Sequence, residues 1–67
     1  MNKHTVKVNG HNTSVFIETE FWQELKSISK KEGKSLTVII SNVDKNKKSK
    51  NLSSAIRLYI LNHLKNN

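Results

Sequence analysis

No cysteine occurs in this chain, so neither a disulfide nor a thiolate metal site can hold it together. The three histidines, His4, His11 and His63, are scattered and share no i, i+4 spacing that would make a helical metal pair. Acids are scarce: five in all, with none in residues 1–17 or 45–67. With no thiol, few acids and isolated histidines, spacing supports no nucleophile–base pair. An enzyme is the least expected class, a drug-sized pocket is not expected in so small a chain, and no cofactor is implied. No apolar run approaches the roughly 20 residues that span a bilayer. No signal-peptide pattern opens the chain, no stretch is rich in proline or in glycine and serine, and no internal repeat is present. These absences predict a cytoplasmic protein, nucleoid-associated if its partner is DNA.

What is present is short and basic. Sixty-seven residues make one domain at most, spanning 1–67. A chain this size buries only about 60% of its unfolded surface, so a monomer is marginal. Small domains add disulfides, a metal or a second subunit, and oligomerisation is the remaining route. The net charge of +7 sits at the two ends. Residues 1–17 carry Lys3 and Lys7 without an acid. Residues 18–44 set Glu18, Glu20, Glu24, Glu32 and Asp44 against four lysines. Residues 45–67 carry five lysines and Arg57 without an acid. Basic excess of this kind suggests a polyanion: nucleic acid first, anionic membrane second. The bland alternative is a charge that serves solubility.

The chain is organised around residues 12–22, a short alternating run that turns into an amphipathic helical pattern. A lone strand leaves its backbone N–H and C=O groups unpaired. Its expected partner is the same strand of a second copy. His4–Val8 also alternates, and Asn9-Gly10 is a strong two-residue hairpin signal. In that hairpin Val8 pairs with His11, Lys7 with Asn12, Val6 with Thr13 and Thr5 with Ser14. One face then holds Val6, Val8, Thr13, Val15 and Ile17. The other holds Lys3, Thr5, Lys7, Asn12, Ser14 and Phe16. The alternative for the first strand is a mobile basic arm.

Phe21, Trp22, Leu25 and Ile28 recur at helical spacing, and Gly33 suits a left-handed residue just past a helix, so a first helix is predicted over 19–32. Ser35 is a good N-cap for a second helix with the stripe Leu36, Ile39, Ile40, Val43, fraying at Asp44–Lys45. Its β-branched run would also allow a strand, but cap and period favour helix. Lys45–Lys50 lacks any apolar residue and reads as a loop. Asn51 or Ser53 caps a third helix over about 52–65. Leu58 and Leu61 widen its stripe beyond one neighbour, as in a helix buried by its own chain and by a second subunit. Phe21, Trp22 and Tyr59 lie on these stripes and are expected in the core. His11 is expected to be structural and His63 to lie at the surface.

The order strand, helix, Gly-Lys-Ser turn, helix resembles the ribbon-helix-helix DNA-binding proteins of the MetJ/Arc type. It is most similar to a small alphaproteobacterial-type, hence bacterial, family of that fold. The residues that carry the resemblance are Gly10-His11, Thr13-Ser14-Val15, Glu18, Glu20-Phe21-Trp22, Leu25, Ser35-Leu36, Asp44 and Asn51 through Leu58. They cover roughly residues 4–61. The family tends to carry arginine at Asn12, a small polar residue at Phe16 and proline at Thr19.

The resemblance implies a mainly α homodimer with a short N-terminal β ribbon and an added C-terminal helix. Its two strands pair antiparallel and enter the major groove of double-stranded DNA. By alternation Asn12, Ser14 and Phe16 face the groove. Asn12 can bond adenine, Ser14 any base edge, and Phe16 a thymine methyl. The bland readings are ordinary strand polarity for the first two, and packing on a symmetry mate or the outer strand for Phe16. Lys34, Ser35 and Leu36, at the second helix N-terminus, form the expected phosphate site, with a plain N-cap as the alternative. Lys3 and Lys7, and less strongly the Lys45–Lys50 loop, could meet flanking phosphates. The expected function is a transcriptional regulator, a repressor by preference, with a tetramer through the third helix left open. Two alternatives stand beside it. One is the antitoxin of a toxin–antitoxin pair, against which the three-residue tail counts. The other is a basic protein of membrane surfaces or protein interactions, which liposome flotation would separate from DNA binding.

Overall fold

A computed structural model describes residues 2–47 and 51–66. Two strands, β1 (Asn2–Val8) and β2 (His11–Ile17), precede three helices, α1 (Thr19–Glu32), α2 (Leu36–Asn46) and α3 (Leu52–Lys65). The strands form an antiparallel hairpin in the expected register, from Val8 opposite His11 to Asn2 opposite Ile17. Asn9 and Gly10 both take positive φ, 52° and 84°. Paired positive φ gives the turn a twist that matches the flanking strands.

β1 is therefore a strand and not an arm. It starts at Asn2, two residues before the expected His4. The longer pairing is secured at its end by the Asn2 side-chain amide, which donates to the Thr19 hydroxyl at 2.6 Å. The expectation that β2 must wait for a second copy also changes, because β1 fills one of its two edges.

The inner hairpin face buries Val8, Val15 and Ile17 against the helices. Leu25 and Ile28 of α1, Ile39, Ile40 and Val43 of α2, and Ala55, Ile56 and Ile60 of α3 complete the core. Phe21, Trp22 and Tyr59 pack against it part-buried, as their stripes implied.

Most helix ends have a local cause. Glu18 stands at the N-cap of α1 with extended backbone but makes no side-chain cap bond. Gly33 closes that helix at φ 66°, and the N–H of Lys34 donates to the Ser29 carbonyl at 3.1 Å. The Ser35 hydroxyl accepts the Val38 N–H at 3.2 Å to start α2. The β-branched run Thr37–Ile40 is helical because this cap and the burial of Ile39 and Ile40 outweigh weak intrinsic preference. α2 continues to Asn46, beyond the expected fraying at Asp44–Lys45. The Asn46 amide donates to the Asn42 carbonyl at 2.9 Å, and the Lys47 ammonium donates to the Asp44 carboxylate. Of the two candidate caps for α3, Asn51 is the one used, accepting the Ser54 N–H at 3.2 Å.

The side of α3 away from the core leaves Leu58, Leu61 and Leu64 about half exposed. No helix among the described residues is long and apolar enough to cross a membrane.

Candidate nucleic-acid interface

Strand alternation and the hairpin register put six residues on one outer face. Lys3, Thr5 and Lys7 of β1 and Asn12, Ser14 and Phe16 of β2 are all exposed. The register sets Lys7 opposite Asn12, Thr5 opposite Ser14 and Lys3 opposite Phe16. A lysine thus stands beside two of the three candidate base-reading residues. The face is polar and basic because the alternate residues are committed to the core.

Phe16 interrupts that polarity, with 52% of its surface exposed. Its backbone is held from outside the hairpin. The Phe16 N–H donates to the Ser53 hydroxyl at 3.2 Å, and its carbonyl accepts from the Arg57 guanidinium at 3.3 Å. Arg57 also donates to the Glu18 carboxylate at 2.9 Å. α3 is thereby clamped to the end of β2 and the start of α1. Local sequence patterns carried no sign of this clamp.

The Arg57 hydrogen bond, then Glu18's own backbone hydrogen bond and the guanidinium charge, hold the Glu18 carboxyl below its ordinary value of 4.5. A depressed folded value contributes stability that is complete above 4.5 and fades as pH falls through the lower folded value. Urea melts of the native chain and Glu18→Gln should differ at pH 7, and the gap should narrow as pH falls below 4.5. A gap that persists at acid pH would show that charge on Glu18 is irrelevant to the clamp.

Lys34, Ser35 and Leu36 lie apart from the strand face, at the α1–α2 corner. Lys34 and Ser35 are exposed, while Leu36 is half-buried against the core. The Ser35 cap takes the Val38 N–H and leaves those of Leu36 and Thr37 without an intrahelical acceptor. Beside them runs a shallow groove lined by Gln23, Lys26, Ser27, Ser29, Lys30 and Leu36. Lys26 and Lys30, at i, i+4 spacing, share one face of α1 beside this groove. Lys45 belongs to the last turn of α2, and Lys47 pairs with Asp44. The rest of the expected basic loop, residues 48–50, lies outside the described residues.

His4 extends the inner face of β1 and stacks on Trp22 of α1, with ring centroids 3.8 Å apart and planes 8° from parallel. His11 is exposed beside the turn. His63, expected at the surface, is half-buried instead, with its ring 3.8 Å from the Glu32 carboxylate. Position 63 continues the buried stripe of Ile56 and Ile60, so the period had already indicated this. No group of three His, Cys, Asp or Glu residues suited to a metal occurs among the described residues.

A family model described as a ribbon-helix-helix domain matches residues 1–64. No curated protein and no solved structure matches the chain.

Proposed function

The chain belongs to the ribbon-helix-helix domain family, DNA-binding regulators as a class, and from that premise we propose that it is a sequence-specific repressor of transcription. It acts as a homodimer on double-stranded DNA in the cytoplasm, at the nucleoid. The observation that carries this reading is the hairpin's two-sided character, with an inner face sealed into the core and an exposed outer face bearing Asn12, Ser14, Phe16, Lys3 and Lys7.

In the dimer the β2 strands of two copies pair, each flanked by its own β1. Neighbouring strands lie about 4.8 Å apart, so the two β1 strands are about 14 Å apart. The major groove is about 12 Å wide and admits a two-stranded ribbon. The central β2 pair therefore fits the groove, and each β1 comes over a groove wall, where the phosphates are. Asn12 and Ser14 then read base edges, Phe16 meets a thymine methyl, and Lys3 and Lys7 hold phosphates. At the α1–α2 corner a further phosphate is bound by Lys34, the Ser35 hydroxyl and the backbone N–H of Leu36, on the positive end of the α2 dipole.

Salt titration of binding tests this reading. Lys3, Lys7 and Lys34 from two copies make six ammonium–phosphate contacts, and a slope near −0.9 per contact gives a log–log slope of about −5. Mobility shifts on a genomic target, found by immunoprecipitating the bound DNA, should show that slope. A flat salt response would overturn DNA binding.

A further inference from the structure

We infer that α3 sets the register of the dimer ribbon: the β2 strands of two copies pair about a two-fold axis through Thr13, with Asn12 of each copy opposite Ser14 of the other. This rests on the ribbon-dimer reading above and adds where the axis lies.

The hairpin decides which backbone groups are free. In a two-residue hairpin the closing pair, Val8 and His11, exchanges both hydrogen bonds, and the pattern alternates from there. His11, Thr13, Val15 and Ile17 therefore direct their N–H and C=O groups to β1, whereas Asn12, Ser14 and Phe16 direct theirs outward. Phe16 confirms the parity, since its N–H and C=O meet Ser53 and Arg57 from outside the hairpin. Those same bonds close the edge at Phe16. At the other end Gly10, at φ 84°, is in the turn and not extended. The open edge of β2 is thus Asn12 and Ser14.

Three registers place the axis within reach of that edge. An axis at Ser14 would set Asn12 opposite Phe16 of the second copy and break the Ser53 and Arg57 bonds in both chains. An axis at Asn12 would set Ser14 opposite Gly10, which cannot pair as a strand without undoing the turn. An axis at Thr13 forms two complete pairs, Asn12 with Ser14 and Ser14 with Asn12, and displaces nothing.

The β1 edge is the poorer alternative. It directs the backbone of Lys3, Thr5 and Lys7 outward, and lysine-flanked edges resist strand addition. Apposed β1 edges would also bring like charges together. The residues of the β2 edge are uncharged. In the Thr13 register Asn12 and Ser14 of both copies form one compact patch at the axis, and Phe16 is placed at the ribbon ends.

Single cysteines test the register in a chain that has none of its own. Across a non-hydrogen-bonded antiparallel pair the Cα atoms lie about 4.5 Å apart. A disulfide accepts about 4.4–6.8 Å. Mild oxidation of Thr13→Cys should convert most of the chain to a disulfide dimer on a non-reducing gel. Asn12→Cys and Ser14→Cys should each stay largely monomeric on that gel, because each meets its own copy only diagonally, about 7–8 Å away. The double variant Asn12→Cys/Ser14→Cys, on the exposed face, should cross-link and keeps the test independent of half-buried Thr13.

Cross-linking of Ser14→Cys in preference to Thr13→Cys would overturn the register and leave the ribbon standing. A dimeric mass by light scattering with no cross-link in any variant would put the dimer contact elsewhere and overturn register and ribbon together. A monomeric native chain at DNA-binding concentrations would overturn the ribbon reading itself.

Discussion

Replacing Asn12 and Ser14 together by alanine is expected to abolish preference for the target sequence while sparing the fold and non-specific DNA binding. Both side chains are exposed on the outer hairpin face, and the core lies on the other side. Each bidentate asparagine–adenine pair discriminates by about 1–3 kcal/mol. A dimer carries two, so the loss is about 2–6 kcal/mol, on the order of thirtyfold to ten-thousandfold in specificity. In the proposed reading, non-specific affinity comes from lysines meeting phosphates, which the substitutions leave in place. Competition mobility shifts with target and scrambled duplexes read the difference, and a melting curve checks the fold. If the double variant still prefers the target, the outer strand face is not the reader.

Ile56→Ala should do the opposite: it should damage the fold first and binding only as a consequence. Ile56 is fully buried in the second turn of α3. Truncating such a side chain costs about 2–5 kcal/mol through lost transfer energy and the cavity left behind. A domain of this length has about 3–10 kcal/mol in all, at roughly 0.05–0.15 kcal/mol per residue. Each kcal/mol lowers the Tm of a small domain by about 4–8 °C, so a fall of about 8 °C or more is expected in thermal melts followed by circular dichroism. Leu61→Ala, on the exposed side of the same helix, should change stability by less than about 0.5 kcal/mol. An effect of Ile56→Ala as small as that expected for Leu61→Ala would mean that α3 is an appendage and not part of the core.

The local features of this fold were legible in the sequence. Alternation around Asn9-Gly10 specified the hairpin and its register: a one-residue slip would split Val6 and Val8 from Val15 and Ile17, and the two-residue turn selects among the pairings that remain. Gly33, Ser35 and Asn51 marked helix ends through chemistry that acts within a few residues. The same alternation placed Asn12, Ser14 and Phe16 on the outer face. Contacts between distant segments were not legible. Ser53 and Arg57 reach Phe16 across 37 and 41 residues, and periodicity says which face of α3 is buried, not which strand end it meets. The late end of α2 depended on side-chain bonds from Asn46 and Lys47 that no propensity anticipates. The groove beside Lys26 and Lys30 appears only once α1 and α2 are set against each other.

The stack of His4 on Trp22 gives the molecule an optical handle. Trp22 is the only indole in the chain, and its ring lies where β1 meets α1. Indole emission responds to a stacked imidazole and to the polarity around it. Any event that lifts the hairpin from the helical layer separates the two rings and exposes the indole to water. Intrinsic fluorescence therefore reports on the seating of the hairpin, without a label and separately from the helical content that circular dichroism follows.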